Sequence, residues 1–476
     1  MRIACIHVPQ YALQCATRLD PSLRGAPVAM VAQGNGTGAL HAPIVVACSR
    51  AAWALGVRLG MTAAAARNVS GGRDGRDLCP AGRTAEGRCG GIDVVAVEPL
   101  LERETLRAIA DAMLALTGVV DAGGRVGAGG AHLALYAEVP AKTRGNAFGE
   151  RVLERLAELG LTGRVGIADD RFTAWVAAAY GAVGQRLGDH GGAAHDAGHR
   201  DVITVPRGGS AAFLAPRPLS LLAISPEVQH MLEVLGVRTL GEFAALPAPS
   251  VARPLEADLQ ALARGDSGTL LRPYAPESAL REDIVVRAGN VLDGDGAIGA
   301  PSALALLAHR VALRLAGRGR GAVKLEVAIL AGDATTERAL EVQAPLSDAD
   351  ELARVLTPLL ELAPVAPWRM RVVVTGEAVD NAATEVAAIA DAGVVQPPTR
   401  AVEPRADSHL VDRHLVDRHV VDPVAVVLAT SGSLFALSPD PGARPSLERA
   451  HRRTRRGKQR RLRPAAALGL FDRAGG

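Results

Sequence analysis

Apolar residues fall along the first 180 positions in short blocks whose spacing changes repeatedly. Residues 2–8 (RIACIHV) form a short apolar run of strand length, and 9–19 carry Leu13 and Ala16 at helical spacing. The runs PVAMVA (27–32) and IVVACS (44–49) flank QGNGTGAL, a turn-rich stretch, and predict a β-hairpin. A helix is expected at about 49–55, followed by GVRLGM (56–61). The Gly/Arg-rich segment 71–91 reads as loop. The spacing of Leu101, Leu106, Ile109, Met113, Leu114 and Leu116 predicts a helix over 98–117. Strand 131–139, helix 151–159, strand 164–168 and helix 170–180 follow. This alternation predicts an α/β layer around one sheet.

The character changes after residue 181. A polar, Gly-rich connector (188–201) precedes two short helices over 225–246. Val228, Met231, Leu232 and Leu235 mark the first of these, and GVRTLG (236–241) is the turn between them. From about 280 the pattern is α+β: strand EDIVVRA, helix 301–316, a hairpin of AVKLEVAIL and ERALEVQAP around GDATT, helix 348–362, and strand WRMRVVVTG. Beyond about 380 the chain reads as linker and basic tail, with a five-residue repeat at 409–423 that suits neither a helix face nor a strand face.

Charge sharpens this picture locally rather than globally. Formal net charge is +3, yet residues 452–463 alone hold eight basic side chains and no acid, leaving −5 for the rest. A polyanion partner must therefore be argued from particular sites. Only three of the basic residues are Lys (Lys142, Lys324, Lys458), an Arg skew that carries no functional information by itself. No run reaches the ~18 apolar residues of a membrane span, so no membrane partner is expected. Five cysteines, all within the first 89 residues, fit a reducing compartment and a cytoplasmic location better than a disulfide framework.

Candidate chemistry is sparse. GNGTG (34–38) could cradle a phosphate, but a strand rather than a helix follows it, so a hairpin turn is the simpler reading. Cys79 with Cys89, and the three histidines of the repeat, lack the paired spacings of a zinc site; no metal is expected there. LGVRTLGE (235–242) has the glycines of a helix-hairpin-helix turn, whose amides can meet a DNA phosphate; an ordinary helical hairpin is the alternative.

Several of these segments, in order, resemble the Y-family translesion DNA polymerases, and most closely their polymerase-like ImuB-type branch. RIACIHVPQYALQ resembles the family's opening strand and helix. IVVACSRAAWALGVRLGM (44–61) resembles its fingers segment, and RVGIADDRFTAWVAAAYG (164–181) its palm strand and helix. Residues 217–247 resemble its thumb, and 275–380 follow the element order of its little finger. The resemblance implies a right-hand α/β and α+β multidomain architecture. Palm and fingers would occupy 1–180 (fingers about 36–90), the thumb 181–270, the little finger 275–380, and a mostly disordered linker and tail 381–476.

The same resemblance exposes gaps. Nucleotidyl transfer needs two divalent metals held by clustered carboxylates. The positions that carry them in the family hold His7 and Pro9 on the first strand, with Tyr11 at the aromatic place, and Gly129 and Gly130 before the 131–139 strand. Arg50 and Trp53 stand where a Tyr and an Arg contact the triphosphate, and Arg171 keeps only the charge of the palm Lys. Mg²⁺ prefers carboxylate oxygens that these residues cannot supply, so the resemblance implies a non-catalytic homologue with no cofactor. Mg²⁺ enters only if an active polymerase uses displaced acids such as Asp121, Glu138, Asp169 or Asp170. A further alternative is an unrelated α/β enzyme binding a phosphorylated small ligand at 34–38.

What the ImuB-type resemblance implies instead is an adaptor in damage-induced mutagenesis. It would contact DNA, the sliding clamp, a RecA-like accessory protein and an error-prone replicative-type polymerase. DNA contacts are expected from Gly236, Arg238, Thr239 and Gly241, and from Arg318, Arg320 and Lys324. The clamp peptide is expected at Leu468, Leu470 and Phe471, with Ser433–Phe435 as a second candidate.

Overall fold

A computed structural model describes residues 1–32, 42–69, 91–126, 131–181, 201–247, 254–267, 270–277, 279–287, 299–364 and 367–379, all within one unit, Met1–Leu434. The 34–38 turn, most of the 71–91 loop with Cys79 and Cys89, Gly129, Gly130, nearly all of the 188–201 connector, the repeat, Ser433–Phe435, the basic run, and Leu468, Leu470 and Phe471 lie outside the described residues.

The first strand β1 (Ile3–Val8) is buried along its whole length and leads into α1 (Tyr11–Leu19). A small sheet follows from β2 (Val28–Ala32) and β3 (Ile44–Cys48), which pair antiparallel as the hairpin reading expects. Helices α2 (Arg50–Ala54) and α3 (Ala63–Asn68) come next, capped by Ser49 and Thr62. Strand β4 (Asp93–Ala96) then adds parallel to β2. The expectation of one sheet is therefore corrected: a separate three-stranded sheet, in the order β3-β2-β4, spans Val28 to Ala96.

Helix α4 (Pro99–Met113) precedes β5 (Val120–Val126) and β6 (His132–Glu138). Helix α5 (Gly145–Glu158) begins six residues before the sequence pattern indicates. Next come β7 (Arg164–Ala168), α6 (Arg171–Tyr180) and β8 (Val202–Thr204). The main sheet has the order β5-β6-β1-β7-β8, antiparallel except for the β7–β8 pair. Alternation along β1 sends Ile3 and Cys5 to a core shared with α6, and Ala4, Ile6 and Val8 to a core shared with α1, α4 and α5. Gly166 lets α6 lie directly on β7: a Cβ there would sit 2.1 Å from the Ala174 carbonyl.

Helix α7 (Ser210–Leu214) leads to the helical hairpin of α8 (Pro226–Val234) and α9 (Leu240–Ala244), and then α10 (Pro254–Ala263). Ser225 caps α8 with Pro226 at its first turn, as the local sequence dictates. The last sheet runs β11-β10-β12-β9, all antiparallel. It is built from β9 (Leu280–Val286), β10 (Arg320–Ala331), β11 (Ala334–Leu346) and β12 (Trp368–Val379). Gly332, at φ +58°, and Asp333 close the β10–β11 hairpin. Helices α11 (Ala300–Arg318) and α12 (Ala349–Leu356) pack together, and both contribute to this sheet's core. The architecture is thus mixed α/β, and among the described residues no helix is long and apolar enough to cross a membrane.

Candidate functional site

The end of β1 is where the family resemblance places metal-binding carboxylates. Antiparallel register sets His7 opposite Ala134 of β6 and Arg164 of β7. The His7 ring is buried, its Nδ1 has no hydrogen-bond partner among the described residues, and the His132 ring lies 5.1 Å away. Burial, then the neighbouring His132 and Arg164, hold the His7 imidazole well below its usual pKa. It is a neutral side chain at pH 7.

The turn after β1 is tightly tied down. Gln10 adopts φ +47°, a left-handed conformation uncommon outside glycine, and its amide donates to His132 Nδ1 at 3.1 Å. Gln14 Nε2 donates to the Pro9 carbonyl (2.7 Å) and the Thr162 carbonyl (3.0 Å), while its Oε1 accepts from the Thr162 amide. Tyr11 is buried and its hydroxyl donates to the Glu102 carbonyl.

This end of the sheet therefore offers imidazole and guanidinium groups. Gly129 and Gly130, by identity, add no side-chain donor. Such a set does not fit a pair of Mg²⁺ ions, which take oxygen ligands. Among the described residues no group of three or more His, Cys, Asp or Glu could hold a metal ion.

The acids proposed as replacements do not gather at His7, and three of the four are already engaged. Glu138 is opposite Ile3, four residues along β6 from His7's partner, about 13 Å at strand spacing. Asp169 follows β7 at that same far end, pairs with Arg2 (3.1 Å) and accepts the Gly208 amide (2.7 Å). Asp170 caps α6 by accepting the Thr173 amide at 2.8 Å; burial raises its pKa. Asp121 accepts from the Gly123 and Arg272 amides and pairs with Arg171 at 3.1 Å. That pairing decides the fate of Arg171 as well. Its guanidinium is buried, lies 4.1 Å over the Tyr136 ring, and is turned into the fold instead of toward a triphosphate. In the small sheet, Arg58 covers the Trp53 ring at 4.2 Å and donates to the Trp53 carbonyl, whereas Arg50 is exposed.

The expected DNA contacts separate into distinct groups. Gly236, at φ +88°, ends α8: the Gly236 and Val237 amides donate back to the Glu233 and Leu232 carbonyls, a Schellman stop. Thr239 and Glu242 form a capping box. Glu242 Oε2 accepts the amides of Arg238 (2.7 Å) and Thr239 (2.9 Å), which hold its carboxyl below the ordinary range. The Leu240 and Gly241 amides donate to the Arg217 and Ala215 carbonyls. Every amide of this turn is thus occupied internally. Gly241 is required for packing, since a Cβ would come 2.9 Å from Ala215 Cβ.

Arg318 corrects the sequence reading outright. It is a buried member of an ion-pair cluster, with Asp111 at 2.9 Å and Glu377 at 2.5 Å. Lys324 is exposed and pairs across the hairpin with Glu341 at 2.6 Å. Arg320 is exposed at the start of β10 and has no ion pair among the described residues.

Sequence reasoning missed that cluster. Arg18 of α1 grips Glu282 of β9 with two hydrogen bonds (2.8 and 2.7 Å). Arg314 of α11 reaches both Glu282 (3.0 Å) and Asp111 of α4 (2.8 Å). All four side chains are buried. A signal was present: Arg310, Arg314 and Arg318 recur every four residues beside the apolar stripe Leu307, Val311, Leu315, so they share the buried face.

Comparison with known proteins agrees with the motifs. Residues 6–179 match the family described as IMS, the impB/mucB/samB family. Two proteins named Protein ImuB, from Caulobacter vibrioides strains NA1000 / CB15N and ATCC 19089 / CIP 103742 / CB 15, are each 29% identical over 224 residues. That stretch is 44% of this chain and 42% of the relatives' length. Among solved structures, an insertion ternary complex of Dbh DNA polymerase is similar at 14% identity and TM-score 0.40, covering 80% of this chain and 100% of that one. DinB from Sulfolobus solfataricus is similar at 14% identity and TM-score 0.39, covering 80% and 99%. The matched stretch, residues 6–179, is the part of this chain whose motifs resemble the Y-family polymerases.

Proposed function

We propose that this protein is a non-catalytic Y-family polymerase homologue that binds DNA and serves as an adaptor in translesion synthesis and damage-induced mutagenesis. One observation supports the reading above others. The end of β1 presents a buried, neutral His7 between His132 and Arg164, where nucleotidyl transfer requires carboxylates. The commitment of Arg171 to Asp121 removes a second element of a nucleotide site.

DNA contact in this proposal runs through exposed cations rather than turn amides, because Glu242 occupies the latter. Arg320, Lys324 and Arg238 are the candidates, acting on the phosphate backbone without reading bases. Recruitment of the sliding clamp is assigned to Leu468, Leu470 and Phe471, whose apolar side chains suit a hydrophobic pocket. A RecA-like accessory protein and an error-prone replicative-type polymerase are the other proposed partners, in the cytoplasm.

Two measurements on one preparation test the reading. Fluorescence anisotropy on a primer-template should show binding that weakens steeply with salt, and a clamp pull-down should be abolished by Leu470→Ala with Phe471→Ala. Absence of DNA binding, or undiminished clamp capture by the double variant, would remove the corresponding half of the proposal.

A further inference from the structure

Among the described residues, Arg310 is the one cluster arginine without an acidic partner. It is fully buried on α11, donates through Nη1 to the Arg18 carbonyl at 3.0 Å, and leaves Nε and Nη2 with no hydrogen-bond partner among the described residues. Glu282 acts on it only through space, without a hydrogen bond. Both oxygens of Glu282 are taken by Arg18, and Oε1 also accepts from Arg314.

Arg24 approaches the same place from outside. Its side chain is exposed and makes no ion pair among the described residues. Gly160, in the turn after α5 with φ +79°, measures how close the two come. A Cβ at Gly160 would lie 3.0 Å from Arg310 Nη2 and 3.1 Å from Arg24 Nη2. The two guanidinium groups therefore flank the same glycine, and among the described residues neither makes an ion pair with a carboxylate. Burial first, then Arg18, lower the Arg310 pKa to about 9, with Glu282 offsetting part of the shift and Arg24 adding to it, so it is still a cation at neutral pH. The terminal carbonyls of α5 offset part of this charge, but the Leu159 carbonyl already accepts from Arg18 Nε. A buried, unpaired cation is costly, and a second one beside it adds repulsion.

We propose that the seam of α1, the turn after α5, and α11 is a binding site for a tetrahedral oxyanion of the phosphate class, held by Arg24 and Arg310. The planar guanidinium fork matches phosphate oxygens, the exposed Arg24 side provides entry, and the anion would neutralise the seam between the main sheet's helices and the last α+β unit. The oxyanion is either a free phosphate group or a phosphate of the DNA backbone.

Thermal unfolding of the full chain in inorganic phosphate, against chloride at equal ionic strength and pH, tests the site. Phosphate is expected to raise the midpoint saturably, by about 2 °C or more. Arg24→Ala and Arg310→Met should each lose most of that increment, whatever their own baseline midpoint. If Arg310→Met does not fold, Arg24→Ala decides alone. No phosphate increment in the native chain, or a full increment in Arg24→Ala, overturns the proposal. Anisotropy with a labelled duplex then names the source: several-fold weaker binding by Arg24→Ala identifies the DNA backbone, and equal binding identifies a free phosphate.

Discussion

Replacing Asp111 with Ala tests how the last α+β unit is joined to the main sheet. The Asp111 carboxylate is fully buried on α4 and has three partners, all later in the chain: Arg314 (2.8 Å), Arg318 (2.9 Å) and the Tyr274 hydroxyl (3.0 Å). Removing one partner of a buried ion pair costs about 3–5 kcal/mol, because the charge left behind is uncompensated. Here Arg314 keeps Glu282 and Arg318 keeps Glu377, so the low end, about 3 kcal/mol or roughly 150-fold in the equilibrium, is expected. Urea unfolding can follow both sides of the seam, since Trp175 lies in the α6 core and Trp368 in the core of the last sheet. The Trp368 signal should shift to lower urea in Asp111→Ala. Adding Arg314→Met to Asp111→Leu removes both charges, and the double variant should be more stable than Asp111→Leu alone. A loss below about 1 kcal/mol in Asp111→Ala would refute the assignment of this network as a structural joint.

Two further outcomes follow from the same geometry. Gly317→Ala places a Cβ 1.8 Å from the Asp111 carbonyl, so it should force α11 off α4 and destabilise by about 1–3 kcal/mol in the same urea assay; native-like stability would contradict the close helix contact. His7 has a lowered folded pKa, so the unfolded chain binds its proton more readily. Its contribution is fully present above the unfolded value near ~6.5 and is lost progressively as pH falls toward the folded value. His7→Gln should flatten that part of the stability profile below about pH 6.5, and an unchanged profile would show that His7 is not buried as a neutral ring.

Elements with clear periodicity were legible from sequence: β1, the β2–β3 hairpin, α4, α6 and the α8–α9 pair fall where apolar spacing and capping residues put them. β5 was not, because VDAGGRV carries two adjacent glycines and reads as turn; it is a strand through pairing with β6, interrupted by a bulge at Asp121 to Gly124. β8 has three residues and exists through its parallel partner β7. Charge alone marks Arg318 as a surface cation, whereas its burial depends on acids more than 50 residues away in sequence. The absence of a carboxylate at His7 and at Pro9 is plain from sequence. The internal use of Arg171, and of the Arg238 and Thr239 amides, was visible only in three dimensions.

Primer extension measures the central claim most directly: purified full chain, a primer-template it is shown to bind, all four dNTPs, and Mg²⁺ or Mn²⁺ in excess. A bound, unextended primer is expected with either metal, because neutral His7 and, by identity, Gly129 and Gly130 give the ions no carboxylate. Template-directed extension that co-purifies with the chain and disappears on Asp121→Asn or Asp170→Asn would contradict it.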